Sequence, residues 1–459
     1  MAEPEEIIEP DEDAYALDRE TMRDVRSAVE AEDRAALLEA MEPLHPADVA
    51  DLLEQLDEGP RHKLIQLLGH DFNGAVLSEL DEGLREDVIE ALSPAVLTEA
   101  VRELDSDDVV DLLETLEAPQ QETILGALER PDRIAIERAM AFPEGSAGRL
   151  MQREVVTAPE HWTVGDAIDF MRASLDLPEQ FYHIVLVDPR YQPIGQVTLG
   201  RVMSSDRVTK LADLTEESYR TIPVTQDEED VAYAFNQYHL ISAPVVDDDG
   251  RLVGVITIDD AMIVLSQQNE EDLLLLAGVG DESIADRTLQ IVRQRFPWLL
   301  VNLGTAILAS MVIAQFEDVL AAIVALAVLM PIVASMGGNA GTQSMAVAVR
   351  AIATRDLTGS NAWRVVRREI TAAFLNGLVF AVIIGIVGMV WFGNPMLGAV
   401  IAMAMVINLV VAGLAGVMLP IVLDKVGVDP ALASGTFVTT VTDVVGFFAF
   451  LGLAGIILL

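Results

Sequence analysis

LMPIVASMGGNAGTQSM, residues Leu329–Met345, stands inside an apolar run from Val319 to about Val349. A helix in lipid must satisfy its own backbone hydrogen bonds, so Pro331 and three glycines are unusual in such a run. Broken backbone at membrane depth is tolerated only where it is buried in protein or lines a wet cavity. The stretch therefore predicts a broken membrane helix at a pore. The alternative is a seam of small residues that packs helices together.

Polar groups in the same stretch favour the pore. Asn339 and Gln343 are four residues apart, which places two amides on one helical face. Gly337 and Gly338 allow other backbone, or a hydrated ion, to come close. We therefore predict that these four residues line an ion path.

Composition bounds the class of protein. The chain has 459 residues, of which 51% are hydrophobic, and a net charge of −44. These values indicate a membrane protein with a large acidic soluble part. The acidity fits either adaptation to high salt or the binding of cations, and it argues against a nucleic-acid partner. The absence of cysteine excludes disulfides and thiolate metal sites. Residues 1–20 form an acidic tail that we expect to be disordered.

Residues 21–140 have the pattern of short amphipathic helices. Leucines recur at spacings of three and four, and segments such as Asp105–Leu116 recur in related form. Ser93 followed by Pro94 is typical of a helix start. The pattern predicts an all-α domain of stacked helical repeats.

From residue 145 to residue 265 strands alternate with helices, and Val185–Met203 repeats as Pro244–Met262. The repeat resembles a tandem pair of CBS domains, here residues 145–203 and 204–265, with an α/β fold. In the second copy Gly254, Thr257 and Asp260 match the nucleotide pattern of that family, whereas the first copy has Arg201 in place of the aspartate. The resemblance implies a site for ATP or another adenine nucleotide, and a purely structural turn is the alternative.

Residues 266–296 are predicted to form an acidic linking helix. Residues 297–459 contain five apolar stretches long enough to cross a membrane, about Pro297–Phe316, Val319–Val349, Ile370–Phe392, Pro395–Leu423 and Ala431–Leu459. Arginines flank the entry to the first stretch and fill the loop after the second. By the positive-inside rule these loops are cytoplasmic, which places the soluble domains in the cytosol and the C-terminus outside the cell (inner or plasma) membrane. The predicted fold is thus a helical-repeat domain, tandem CBS domains and a five-span α-helical membrane domain.

Asp443 is the one carboxylate within the five stretches as bounded here, and an ionisable residue at that depth indicates function. Thr436, Thr439 and Thr440 precede it on the same helical face. Threonines alone commonly pack helices, but together with Asp443 they favour a cation path. One carboxylate with hydroxyls and amides suits a cation that keeps its water, which favours Mg²⁺ modestly over other hard divalent ions.

The order of domains, together with PWLLVNL (Pro297–Leu303), PIVASMGGNAGTQ (Pro331–Gln343) and TTVTDVVG around Asp443, resembles the MgtE family of magnesium transporters. The resemblance implies a homodimeric, channel-like protein for Mg²⁺ uptake. It implies a selectivity site at Asp443 and the main-chain oxygen of Thr439. It also implies that acids in the CBS pair and linking helix sense Mg²⁺ and close the pore. The matching acids are Asp227, Glu229, Asp259, Asp260, Glu271, Asp272 and Asp429. Ile263 and Gln268 are neutral where further acids are expected.

Two other functions fit parts of the sequence. One is transport of a different divalent ion such as Co²⁺ or Mn²⁺, and the other is a membrane-anchored CBS sensor that transports nothing. Asp443 and the glycine-rich stretch favour transport, since an anchor needs neither. No nucleophile–base constellation is evident, which argues against an enzyme.

Overall fold

The computed structural model describes residues 17, 19–174, 177–178, 180–216, 219–279, 288–433 and 435–459. The acidic tail predicted for residues 1–20 lies outside this part except for its last residues, where the first helix begins at Arg19. The chain forms two compact units, Met1–Gln267 and Gln268–Leu459.

The N-terminal domain is all-α, as predicted. Its helices are α1 (Arg19–Ala31), α2 (Arg34–Met41), α3 (Pro46–Glu54), α4 (Glu58–Leu68), α5 (Val76–Glu79), α6 (Glu82–Ala91), α7 (Pro94–Glu103), α8 (Ser106–Glu114), α9 (Ala118–Ala127) and α10 (Arg130–Ala139), with a 3-10 turn at Gly69–Asp71. Ser93 accepts a hydrogen bond from Val96 N at 3.4 Å and Pro94 opens α7, as the sequence indicates. The leucine stripes form one continuous core that includes Leu53, Leu64 and Leu113.

Two three-stranded sheets follow, and they confirm the internal repeat. The strands are β1 (Thr157–Pro159), β2 (His183–Val187), β3 (Pro193–Thr198), β4 (Ile222–Pro223), β5 (Ser242–Val246) and β6 (Leu252–Thr257). The helices are α11 (Ala147–Leu150), α12 (Val164–Ala173), α13 (Leu199–Ser204), α14 (Glu228–Tyr238) and α15 (Ile258–Leu276), with a 3-10 turn at Leu211–Leu214. In each sheet the middle strand is parallel to the first and antiparallel to the last. The register also repeats, because His183 pairs with Thr198 and Ser242 pairs with Thr257.

The segment before β1 packs on the second sheet. Ala147 N donates to Gln226 O at 2.7 Å, and Gln152 forms a bridge with Val255. A Cβ at Gly254 would lie 2.6 Å from Gln152 O, so this glycine permits the close approach. Gly254 thus has a packing role that the sequence motif does not reveal.

In its described residues the second unit contains six further helices. They are α16 (Thr288–Ala314), α17 (Glu317–Ala322), α18 (Ala325–Ala353), α19 (Ala362–Phe392), α20 (Pro395–Val426) and α21 (Gly435–Ile457), with a 3-10 turn at Pro430–Ala433. All but α17 are long and apolar enough to cross a membrane, which agrees with the five predicted spans. Between α19 and α20, Gly393 adopts a left-handed conformation and Asn394 accepts hydrogen bonds from the first turn of the next helix.

The linking helix differs from its predicted bounds of residues 266–296. Helix α15 starts at Ile258, directly after β6, and ends at Leu276, before Gly278 with its positive φ of 74°. Phe296 instead belongs to α16. The acidic and apolar pattern after residue 266 indicated a helix. It could not show that this helix is the continuation of the last CBS helix, which starts at Ile258.

The predicted break in the second span is wrong, because α18 is one continuous helix through Pro331 and the glycines. The glycines serve close packing instead. A Cβ at Gly341 would overlap Val438 of α21, and one at Gly416 of α20 would overlap Gly341 O. Proline is tolerated within membrane helices when neighbouring helices compensate for the lost backbone bond. The backbone of Leu329–Met345 therefore fits the alternative interpretation, a seam of small residues that packs helices together.

Candidate functional site

Asp443 is half-buried on α21, and no hydrogen bond or ion pair to it occurs within the described part of the chain. The threonines before it bond to their own helix. Thr439 Oγ1 and Thr440 Oγ1 both donate to Thr436 O, at 3.1 and 2.6 Å. Each hydroxyl proton is therefore used, while the oxygen lone pairs of both side chains can still accept a hydrogen bond or face a cation.

Thr442 lies beside the predicted selectivity site, and sequence reasoning did not name it. It is fully buried, and its Oγ1 donates to Thr439 O at 2.9 Å. Thr439 O is the main-chain oxygen that the family resemblance assigns to the selectivity site. A cation bound to that oxygen would share it with the Thr442 hydroxyl, which donates a hydrogen bond to the same atom. Thr442 directly precedes Asp443 in the sequence, but it lies off the helical face of Thr436, Thr439 and Thr440, so the threonine pattern did not point to it.

The predicted lining residues of α18 divide between two faces. Gly337 and Gly338 are buried, and a Cβ at Gly338 would lie 3.1 Å from Thr439 Cγ2 of α21. Asn339 and Gln343 are exposed within the single chain. Gly338 thus brings α18 against Thr439 of α21. Asn339 Nδ2 donates to Ser335 Oγ at 3.4 Å, and the amide oxygens of Asn339 and Gln343 can face water or a second molecule.

Asp443 is not the only carboxylate in the long helices, contrary to the sequence interpretation. Helix α19 begins at Ala362, so Glu369 lies inside it, with 17% of its side chain exposed. Its Oε2 accepts a hydrogen bond from Ser344 Oγ at 3.4 Å, and its Oε1 lies 3.4 Å from Arg368 Nη2. The predicted span began one residue later, which is why Glu369 was overlooked.

A second set of acids lies in the first unit, Met1–Gln267. Here the acids of α8 interact with the acid Asp260 at the start of α15. Burial and then the charge of Asp260 raise the pKa of Asp108 to about 7. The same two causes, in the same order, raise the pKa of the buried Asp107 well above its usual range. Burial raises the pKa of Asp260 itself to about 6. Carboxylates that repel one another in a partly dry place favour a proton or a cation between them.

Helix α8 also brings acids close to the start of α14. Burial and then the charge of Glu114 raise the pKa of Glu228, and Asp227 and Asp111 add to this effect. Asp227 caps α14 by accepting a hydrogen bond from Glu229 N at 3.0 Å. The structure thus brings the predicted Asp227 and Asp260 beside acids of α8. Sequence reasoning treated the acids of α8 as solvated, because the contact between distant segments has no local signature.

The predicted acids of the linking helix and the last loop also meet. Burial, followed by the charge of Asp429, raises the pKa of Asp272 to about 6, with a further contribution from Glu271. Asp429 Oδ1 accepts a hydrogen bond from Ala431 N at 2.7 Å, which fixes it in the turn before α21. Leu275 of the same helix and Val438 of α21 belong to one cluster of buried apolar side chains. The acidic end of α15 therefore lies close to the helix that carries Asp443.

Direct metal coordination needs ligand atoms that are close together. Within the described residues, one group of three, Glu58, His62 and Asp87, has ligand atoms all within 4.8 Å of one another. Asp87 is already bonded to Arg61 Nη1 at 2.7 Å and to His62 Nε2 at 2.9 Å. This group forms an ion-pair network between α4 and α6. None of the predicted sensor acids belongs to such a group within the described residues.

In the second CBS copy, Thr257 Oγ1 donates to Asp260 Oδ2 at 2.6 Å. This bond ties together the two side chains of the nucleotide motif. The first copy has the equivalent Thr198, but Arg201 there reaches Leu214 O at 3.1 Å instead. The two copies therefore differ at the position where the motif predicts a ribose contact.

Fold and site together define a multi-pass membrane protein with an acidic soluble part. Family models agree with this description. Residues 330–453 match the MgtE model for divalent cation transporters, residues 44–145 match the MgtE intracellular N domain, and residues 147–207 and 211–267 match CBS domains.

Relatives extend the match over most of the chain. The magnesium transporter MgtE of Thermus thermophilus is 34% identical over 95% of this chain and 98% of its own length. That of Bacillus subtilis is 31% identical over 76% of this chain and 77% of its own. The crystal structure of the cytosolic domain of the Mg²⁺ channel MgtE in complex with ATP covers 53% of this chain and 99% of that one, with 30% identity and a TM-score of 0.50. The chain belongs to the MgtE family of magnesium transporters, as its sequence predicted.

Proposed function

We propose that the protein is a Mg²⁺-selective, channel-like transporter for magnesium uptake that cytosolic Mg²⁺ closes. The observation that carries the proposal is Asp443, a half-buried carboxylate without a partner among the described residues, on a long apolar helix. A charge in that position is costly unless it meets water or an ion. Asn339, Gln343 and the lone pairs of the threonines supply further oxygens for a hydrated cation.

The site is completed by a second copy of the chain. One carboxylate cannot neutralise a divalent ion, whereas two copies about a two-fold axis supply two carboxylates that face one another across the path. Two-fold dimers are the commonest closed oligomer. The exposed Asn339 and Gln343 would then line the shared path on both sides.

Gating follows from the repelling acids outside the spans. Mg²⁺ between Asp107, Asp108 and Asp260 would remove their mutual repulsion, and so would Mg²⁺ near Asp227, Glu229 and Asp259. In the second unit, Mg²⁺ would act likewise on Asp272, Glu271 and Asp429. Bound ions favour the arrangement in which the acids are close, which we take to be the closed pore. An adenine nucleotide at Thr257 and Asp260 would shift this response, because Asp260 belongs to both sites.

The membrane orientation follows from the arginines. With the positive loops inside, the soluble domains are in the cytoplasm of the cell, the protein spans the inner or plasma membrane, and the C-terminus is outside. This topology exposes the sensor acids to cytosolic Mg²⁺, as feedback on uptake requires.

Flux into liposomes tests the proposal. Purified protein should carry Mg²⁺ in preference to Co²⁺ and Mn²⁺, and Mg²⁺ on the side of the soluble domains should reduce that flux. Preference for Co²⁺ or Mn²⁺ would support the alternative cargo. Absence of all divalent flux from folded protein would support a membrane-anchored sensor.

A further inference from the structure

Asn408, in the middle of α20, is a polar residue that the proposed function has not used. It is fully buried in the membrane unit. Its Nδ2 donates to Val333 O of α18 at 2.8 Å, while Oδ1 has no donor among the described residues. A half-satisfied amide is unfavourable in an apolar core, so an apolar side chain would be expected here if packing were its whole purpose.

The amide lies between glycines of two other helices. A Cβ at Gly337 of α18 would overlap Asn408 Nδ2, and a Cβ at Gly446 of α21 would lie 2.8 Å from the same atom. Three helices, α18, α20 and α21, therefore meet at the Asn408 side chain. The neighbours on α18 and α21 are glycines, which leave room for the amide. The glycine stripe alone would allow α18 and α21 to slide, since small residues pack in several registers.

The position of this contact connects it to the ion path. Gly337 is two residues before Asn339 on α18, and Gly446 is three residues after Asp443 on α21. A buried hydrogen bond has one geometry, and fixing a register is the best-attested use of such a group. The contact at Asn408 thus constrains where Asp443 stands relative to Asn339.

We propose that Asn408 is a positioning residue for the ion path, which sets the register of α18 and α21 and thereby the placement of Asp443. The role rests on the proposed function. Asn408 itself is buried and need not touch the ion. The proposal predicts that loss of the amide changes ion selectivity and the Mg²⁺ concentration for half-maximal flux, even in protein that is folded.

Two variants of the full-length protein test this in liposomes. Asn408→Leu keeps similar volume without the hydrogen bond. The double variant Asn408→Ala with Gly446→Ala moves a methyl group to the neighbouring helix α21 and also lacks the bond. In both, the Co²⁺ to Mg²⁺ flux ratio or the half-maximal Mg²⁺ concentration should change by about 10- to 100-fold, since small misplacements of a site have effects of that size.

Gly385→Ala is the matched control. A Cβ there would lie 3.3 Å from Ala402 Cβ and from Gly398 O, so it strains the packing of α19 on α20 at least six residues away from Asn408. It should lower thermal stability and leave both flux values unchanged. Wild-type values in folded Asn408→Leu would overturn the proposal, and so would failure of both test variants to fold, because the amide would then serve the fold. A wild-type protein that carries no Mg²⁺ would refute the proposed function as well, whereas normal wild-type transport with unchanged variants refutes this role alone.

Discussion

Asp108 of α8 and Asp260 of α15 face one another between the helical domain and the second CBS copy, and the charge of Asp260, after burial, raises the pKa of Asp108 to about 7. Both carboxylates therefore bind a proton more tightly in the folded protein than in the unfolded chain. Their contribution to stability is full below the usual value of 3.8 and is lost as the pH rises through about 6 to 7.

The first prediction concerns this pH dependence. In Mg²⁺-free buffer the melting temperature of the first unit in the full-length protein should fall between about pH 4 and pH 7, by an amount worth on the order of 2 kcal/mol. Mg²⁺ should reduce the fall, because the ion replaces the protons. Differential scanning calorimetry at several pH values, with and without Mg²⁺, measures both effects.

Asp108→Asn should flatten this pH profile, since it removes one of the repelling charges. Glu122→Gln, which removes an exposed acid of α9, is the control and should leave the profile as it is. A wild-type profile in Asp108→Asn would contradict the assignment of the effect to this pair.

The second prediction concerns gating by the acids near the last span. Burial and then the charge of Asp429 raise the pKa of Asp272. Asp272→Asn together with Asp429→Asn removes this repulsion and the negative charge that would attract the ion. Flux of the double variant should stay high at millimolar Mg²⁺ on the side of the soluble domains, where wild-type flux is reduced. Undiminished inhibition by Mg²⁺ in this variant would show that these acids are not sensors.

The third prediction concerns nucleotide binding. ATP should bind by way of Thr257 and Asp260, and Mg²⁺ should alter its affinity by the same factor by which ATP alters that of Mg²⁺. Isothermal titration calorimetry on the wild type and on Asp260→Ala measures this. Equal heat from both proteins, or none from the wild type, would remove the nucleotide from the account.

The fourth prediction concerns the packing of α18 on α20. Gly416→Ala would place its methyl group on Gly341 O, so it should destabilise the membrane unit by about 1–3 kcal/mol through overpacking. A Cβ at Gly304 of α16 meets nothing within 4 Å, so Gly304→Ala is the control and should change stability little. Thermal unfolding in detergent compares the two, and equal stability would argue against the close helix contact.

Local patterns in the sequence were sufficient for the order of domains, the five spans and the CBS repeat, because apolar periodicity and turn residues act over a few residues. They misjudged α18, where Pro331 and the glycines indicate a break. Tertiary packing decided otherwise, since Asn408, Val438 and Gly416 fill the space that those glycines leave. Interactions between distant segments, such as that of Asp108 with Asp260, have no local sequence signature, so the local patterns could not predict them.

The site was predictable to a similar extent. Asp443 was predicted because a carboxylate in an apolar run is rare, and Asp272 and Asp429 were predicted through the family resemblance. Thr442 and Glu369 were missed for reasons of geometry. Thr442 points away from the threonine face and bonds Thr439 O, and Glu369 lies one residue outside the apolar run although it is inside the helix.

The central claim is that Asp443 from two copies holds hydrated Mg²⁺ on its path. Mg²⁺ flux into liposomes that contain folded, dimeric Asp443→Asn tests it most directly, because this change keeps size and hydrogen bonding but removes both charges. Asp424→Asn, which removes an exposed carboxylate near the end of α20, is the control and should transport as the wild type does. We expect no selective Mg²⁺ flux through Asp443→Asn, and some flux with altered selectivity through Asp443→Glu. Wild-type Mg²⁺ flux through a folded Asp443→Asn dimer would contradict the account.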